Sequence, residues 1–250
     1  MLALLRFGPG GIVFLPIFVQ RWKRITAVPL RHLISIVVGG GLPYFLIASM
    51  AMQHAPVSDG STLVPGTIPL FVAGIYTLFY GQKLPPSHSK ALLLIGEGAV
   101  LMLVVNNGSE KAWFGYLLFL IGSFAWANFT ISLRLSGLTP LEGAALISIV
   151  SMGLLLLWIL FYPPTKLSIY SWHDLCFIGL IQGFGVGIFS TLCYAYAVTK
   201  LGASRSTAAG ALTPVLASLL AVPLFGEIPG PGSLAGMALI VVGVMMSSRR

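Results

Sequence analysis

The sequence has little charge. Only 8% of its 250 residues are Asp, Glu, Lys or Arg, against 57% hydrophobic residues, and the mean hydropathy is +0.95. So little charge cannot cover a water-facing surface, which excludes an ordinary soluble domain. Acids are scarcest, with six Asp and Glu in the whole chain, and the four histidines (His32, His54, His88, His173) fall mostly at the ends of apolar runs. There is no HExxH, no nucleophile elbow and no converging set of acids and histidines, so neither an enzyme nor a metal or cofactor site is expected. The two cysteines, Cys176 and Cys193, share one apolar segment without paired ligand spacing. They read as small buried hydrophobes and not as a disulfide or zinc site.

Apolar runs fill the space that charge leaves. A hydrocarbon core of about 30 Å takes roughly 20 helical residues to cross, and runs of that order recur at 2 to 19, 32 to 52, 60 to 80, 90 to 106, 112 to 133, 141 to 162, 174 to 198, 204 to 225 and 232 to 248. Stretches such as Ala91-Leu-Leu-Leu-Ile and Leu154-Leu-Leu-Leu-Trp lack the alternation of a transmembrane β-strand. The expected class is therefore all-α polytopic membrane protein, with nine helices and connections too short to hold a soluble domain.

The formal net charge of +8 invites a nucleic-acid partner, but its distribution points to topology instead. With the C-terminus in the cytoplasm, eleven of the fourteen Lys and Arg fall on that side, among them Arg21, Lys23, Arg24, Arg134, Lys200 and Arg205. Arg6, Lys111 and Lys166 are left for the other side. Positive-inside bias thus orients the chain in the lipid bilayer, and no nucleic acid is expected.

The chain also repeats itself. A shift of 145 positions brings Ser61, Thr62, Pro69, Gly81 and Pro86 onto Ser206, Thr207, Pro214, Gly226 and Pro231. The division expected is a first copy over 1–107 with four helices and a second over 112–248 with five. Five helices per copy is odd, so consecutive copies enter the membrane from opposite sides, and inverted repeats of this kind frame a midplane site between them. The first copy lacks the counterpart of one helix; a truncated chain, a misassigned start and a natural nine-helix protein are the readings open.

Ala195-Tyr-Ala-Val-Thr-Lys-Leu-Gly-Ala-Ser-Arg-Ser leads into Leu212-Thr-Pro-Val, then Leu224-Phe-Gly-Glu, then the stretch from Gly236 to Gly243. In this order and spacing the chain resembles the EamA-type transporters of the drug/metabolite transporter superfamily, and Leu4-Leu-Arg-Phe-Gly looks like that family's second helix. The resemblance implies a ten-helix carrier of inverted five-helix repeats, a central cavity and alternating access. Gln82 departs from the family pattern at the position matching Glu227, which puts in doubt any role needing that acid in both halves.

Pro69 and Pro214 are helix-break candidates, since a proline frees carbonyls that hydrocarbon cannot satisfy. A packing kink is the alternative. Thr67 and Thr213 stand beside them, able to satisfy those carbonyls or to touch substrate. Asn128 and Trp126 in the fifth span, with Gln182 and Tyr194 in the seventh, could line a polar cavity with an aromatic wall; interhelical hydrogen bonds would explain each singly. Glu97 lies mid-span between two glycines, a possible proton-coupling site or else a helix-contact or dimer-contact residue. Gly179, Gly183 and Gly187 form a small-xxx-small face expected to pack closely against another helix.

The function expected is secondary transport of small metabolites, amino acids or drug-like compounds, outward and possibly proton-coupled, by an integral protein of a bacterial inner membrane. A homodimer is a possible assembly. The alternative is a structural or regulatory membrane subunit that transports nothing.

Overall fold

The computed structural model describes residues 1–81, 86–105, 110–162, 171–203, 205–206, 213, 216, 220 and 230–248. The helices assigned in them are α1 (Leu2–Gln20), α2 (Trp22–Thr26), α3 (Leu30–Gly40), α4 (Leu42–Ala51), α5 (Val57–Tyr80), α6 (Pro86–Val105), α7 (Glu110–Ser136) and α8 (Pro140–Phe161), followed by α9 (Trp172–Ile178), a π-helical segment (Gly179–Ser190), α10 (Thr191–Leu201) and α11 (Pro231–Ser248). Among the described residues six spans are long and apolar enough to cross a membrane: α1, α3 with α4, α5, most of α7, α8, and α9 through α10. Leu160 is 76% exposed and Trp172 83% exposed, large apolar surface suited to lipid and not to water. The all-α polytopic class expected from composition is the class observed. Pro214, Gln82, Glu227 and most of the span expected at 204 to 225 lie outside the described residues.

Two compact units divide the chain. Unit 1 comprises Met1–Phe45 and Phe129–Gly202, and unit 2 comprises Leu46–Asn128 and Ala203–Arg250. Each unit is therefore built from two segments that are distant in the chain.

In unit 1, α1 packs along α8. The approach depends on missing side chains, because a Cβ on Gly10 would sit 2.8 Å from Ser148 Oγ and one on Gly11 would strike Met152. Phe14, Ala144 and Ala145 form the buried centre, with Ile17, Phe18, Ile188 and Leu192 around it. α8 starts where its sequence dictates. Thr139 caps it, its hydroxyl accepting from the Glu142 amide at 3.3 Å while its own amide donates to Glu142 Oε2 at 2.8 Å, and Pro140 occupies the first helical turn. Buried Glu142 also pairs with Arg24 at 3.5 Å, and the Arg24 guanidinium donates to the Gly137 carbonyl. Thr139→Ala should cost about 0.5–2 kcal/mol, read as a lower midpoint of thermal unfolding in detergent.

These contacts also bear on topology. Arg24 follows the first span, Gly137 follows the fifth, and Arg134 donates to the Thr199 carbonyl just before the seventh span ends. The connections after spans one, five and seven therefore meet at one end of unit 1, as the parity of the spans requires.

In unit 2, α6 and α11 lie back to back. A Cβ on Gly98 would come within 2.7 Å of the Gly236 carbonyl oxygen, and one on Gly236 within 2.8 Å of the Gly98 carbonyl oxygen. Leu63 of α5, Ile95 and Met102 of α6, Tyr116 and Phe119 of α7 and Ile240 of α11 fill the core. α5 ends at Gly81, whose φ of +63° is the left-handed cap that glycine adopts without strain.

One expectation needs correction. Cys176 and Cys193 are exposed and not buried, and the span that carries them, Trp172–Leu201, is buried over only 11% of its most apolar stretch within the described structure. α5 is helical through both Pro65 and Pro69. Close by, Thr67 donates to the Leu63 carbonyl at 2.7 Å and Ser123 to the Val64 carbonyl at 3.2 Å.

Candidate functional site

The glycine face of the seventh span positions the most distinctive polar group of unit 1. Gly183 and Gly187 lie in the π-helical segment against α1. A Cβ on Gly183 would stand 2.7 Å from the Leu5 carbonyl oxygen, and one on Gly187 would overlap the carbonyl of Arg6. The close packing expected of this face is therefore present, and it holds the α1 backbone directly at Arg6.

Gln182 projects from the same segment and accepts from an Arg6 Nη at 3.3 Å. Gln182 is ten residues into a 30-residue span, roughly 15 Å along a helix axis, so this bond lies well inside the membrane-spanning region. The Arg6 guanidinium also lies 5.7 Å from the ring centroid of Phe7 and 5.5 Å from that of Phe45, which meet edge to face. Tyr44 is within electrostatic range of both Arg6 and Tyr194. Tyr194 in turn shares a 2.8 Å hydrogen bond with Thr130 and stacks on Phe129. The result is one cation among neutral amide, hydroxyl and aromatic groups, an arrangement that can hold a small polar solute.

Unit 2 has its own polar centre. Asp59, in the first turn of α5 and only 2% exposed, accepts from the Tyr116 hydroxyl and, at 3.4 Å, from Ser233 Oγ. Glu97 is exposed at the edge of a broad groove whose other walls include Leu70, Leu93, Val100 and Val104.

The residues singled out by sequence fall into separate places. Gln182 and Tyr194 come into one neighbourhood, linked through Arg6 and Tyr44. Asn128 is used within its own helix, its amide donating to the Phe124 carbonyl at 3.1 Å, and Trp126 is half-buried on α7 in unit 2. Thr67 is buried and spent on the backbone, Thr213 is exposed, and Pro214 is outside the described residues. Sequence reasoning missed Arg6, Tyr44, Phe45, Asp59 and Tyr116. For Arg6 a signal existed: a charged residue in the run Leu2–Gln20 meets the criterion that marked Glu97. Its position near the chain start let it pass as a topological charge.

Apolar helices long enough to span, with polar clusters among them, define a polytopic membrane protein. Residues 113–249 match the model of the EamA-like transporter family, more than half of the chain, and the protein belongs to that family. It is 26% identical over 250 residues to the uncharacterized inner membrane transporter YedA of Escherichia coli strain K12, across 98% of this chain and 80% of that protein. It is 25% identical over 211 residues to a probable terminal-alkyne amino-acid exporter of Streptantibioticus cattleyicolor, across 83% of this chain and 69% of that one. A solved crystal structure matches 99% of the chain and 86% of its own with a TM-score of 0.66 at 22% identity, a likeness of fold.

Proposed function

We propose that the protein is a secondary carrier that exports small metabolites across a bacterial inner membrane by alternating exposure of a polar site. The observation that carries this reading is the Arg6–Gln182 pair set among aromatic rings inside membrane-spanning helices, where polar groups are costly unless they serve a solute or one another. Membership of a transporter family supports it, and the exporter name of the Streptantibioticus relative supports the outward direction and an amino-acid-like cargo. Following the lysine and arginine bias, the end of unit 1 bearing Arg24, Arg134 and Lys200 faces the cytoplasm.

Proton coupling belongs to the same proposal, with two carboxyls as bearers. Asp59 is the better placed. Ionised, it accepts from Tyr116 and Ser233; protonated, it can donate to one of these hydroxyls, so either state keeps hydrogen bonds in a buried site. Glu97, exposed beside apolar walls, is the comparison residue.

The direct test is flux of a panel of amino acids and amphipathic metabolites from proteoliposomes with an imposed proton gradient. Saturable efflux of at least one compound above protein-free vesicles is expected. Leak rates throughout would favour a non-transporting subunit instead.

A further inference from the structure

We infer that Arg6 is the receptor for a carboxylate group on the transported solute, so that the cargo is a small organic monocarboxylate with an apolar body; this rests on the carrier reading above. Three observations converge on it. First, the guanidinium carries a permanent charge, and among the described residues no carboxylate lies within ion-pair distance of it; the ion pair found there is Arg24 with Glu142. Its neighbours are neutral: the Gln182 amide, the two rings of Phe7 and Phe45, and Tyr44.

Second, its hydrogen-bonding capacity is largely unspent. Gln182 takes one N–H, and Nε is buried with no hydrogen-bond partner among the described residues. A guanidinium offers five donors in a planar fork that matches the two oxygens of a carboxylate. An unspent donor beside an unneutralised charge is the pattern of a site whose counter-ion arrives with the ligand.

Third, the fork is held in place. Gly187 seats the Arg6 carbonyl against the π-helical segment, Gln182 fixes one Nη, and the two phenylalanines stand beside the guanidinium. A side chain needed only to tie α1 to its neighbour would not need a permanent charge, because the glycine contacts already make that tie. One cation matches one negative charge, which favours a monocarboxylate over a phosphate monoester. The rings offer apolar walls for the rest of the molecule.

The test compares acids with their neutral amides on the full-length protein. Acetate, butyrate, benzoate and N-acetyl-L-phenylalanine are each paired with the amide, and both efflux from proteoliposomes and thermal stabilisation in detergent are measured. In the wild type, at least one acid should outpace its amide by about tenfold or more, the least expected from one charge-assisted pair, and should raise the unfolding midpoint where the amide does not. Arg6→Gln should abolish that acid-to-amide ratio, and Arg6→Lys should keep its sign while reducing it. The ratio is a readout that a merely structural arginine would not move. The wild-type comparison and Arg6→Lys decide the matter if Arg6→Gln does not fold.

Flux that treats acid and amide alike overturns the inference and leaves the carrier reading standing. Stabilisation by an acid in wild type but not in Arg6→Gln, with no flux of any compound, sustains the carboxylate site and overturns the carrier reading. The absence of both a flux preference for any acid and stabilisation by any acid likewise overturns the inference.

Discussion

Replacing Gly187 by valine should yield little folded protein, and replacing it by alanine should already destabilise the fold by about 1–3 kcal/mol, the usual range for overpacking. The cause is local and steric. A Cβ at this position falls on the Arg6 carbonyl and lies 3.1 Å from the Gln182 carbonyl, both backbone atoms with no rotamer to yield. α1 would have to move away from the π-helical segment, carrying Arg6 off Gln182. Size-exclusion profile and thermal unfolding in detergent report the damage. Gly153 of α8 is the matched control, since nothing lies within 4 Å of a Cβ built there, and Gly153→Ala should be neutral or stabilising by up to about 1 kcal/mol through helix propensity. Equal losses at the two positions would mean that the glycine face does not seat α1.

The second large effect is expected at Asp59. Asp59→Asn keeps the size of the side chain and its ability to accept from Tyr116 and Ser233, but it cannot take up or release a proton. Efflux driven by a proton gradient should fall to its rate without a gradient, while exchange with no gradient should persist. Tyr116→Phe should give a partial loss, since Ser233 remains. Glu97→Gln should leave the gradient dependence close to wild type. A wild-type response in Asp59→Asn with a lost response in Glu97→Gln would transfer the coupling role to the exposed carboxyl. If both variants misfold, Asp59 is serving α5 as an acidic first-turn residue that the helix dipole favours, and not as a proton carrier.

The helices were legible because hydrophobic length is a local property and every span needs it. The boundaries of α1, α5 and α8 fall within a few residues of the apolar runs. The α8 start was equally local, with Thr139, Pro140 and Glu142 adjacent in sequence. The glycine spacing at 179, 183 and 187 announced a close contact without naming its partner. The partner is α1, and that pairing depends on residues far apart in the chain, as Arg6 and Gln182 are separated by 176 positions. The Asp59–Ser233 contact spans 174 positions and is invisible for the same reason. Polar residues judged by helix position alone, such as Asn128 and Thr67, proved to be occupied with their own backbone, as short polar side chains in helices commonly are.

Charge was read throughout as a topological signal, Arg6 included. The connections bearing Arg24, Arg134 and Lys200 do share one end of unit 1. Arg6, counted as a topological charge, instead occupies a span among aromatic rings. A cation inside an apolar helix therefore needed a chemical reading as much as a topological one.

The most direct test of the central claim is trans-stimulation. Proteoliposomes loaded with a radiolabelled compound that the carrier moves should release it faster when the same compound, unlabelled, is present outside, because a site that alternates its exposure returns faster loaded than empty. Stimulated exchange that saturates with external concentration is the predicted result. Release that ignores the external compound, or that equals protein-free vesicles, would contradict alternating access and with it this account of the protein.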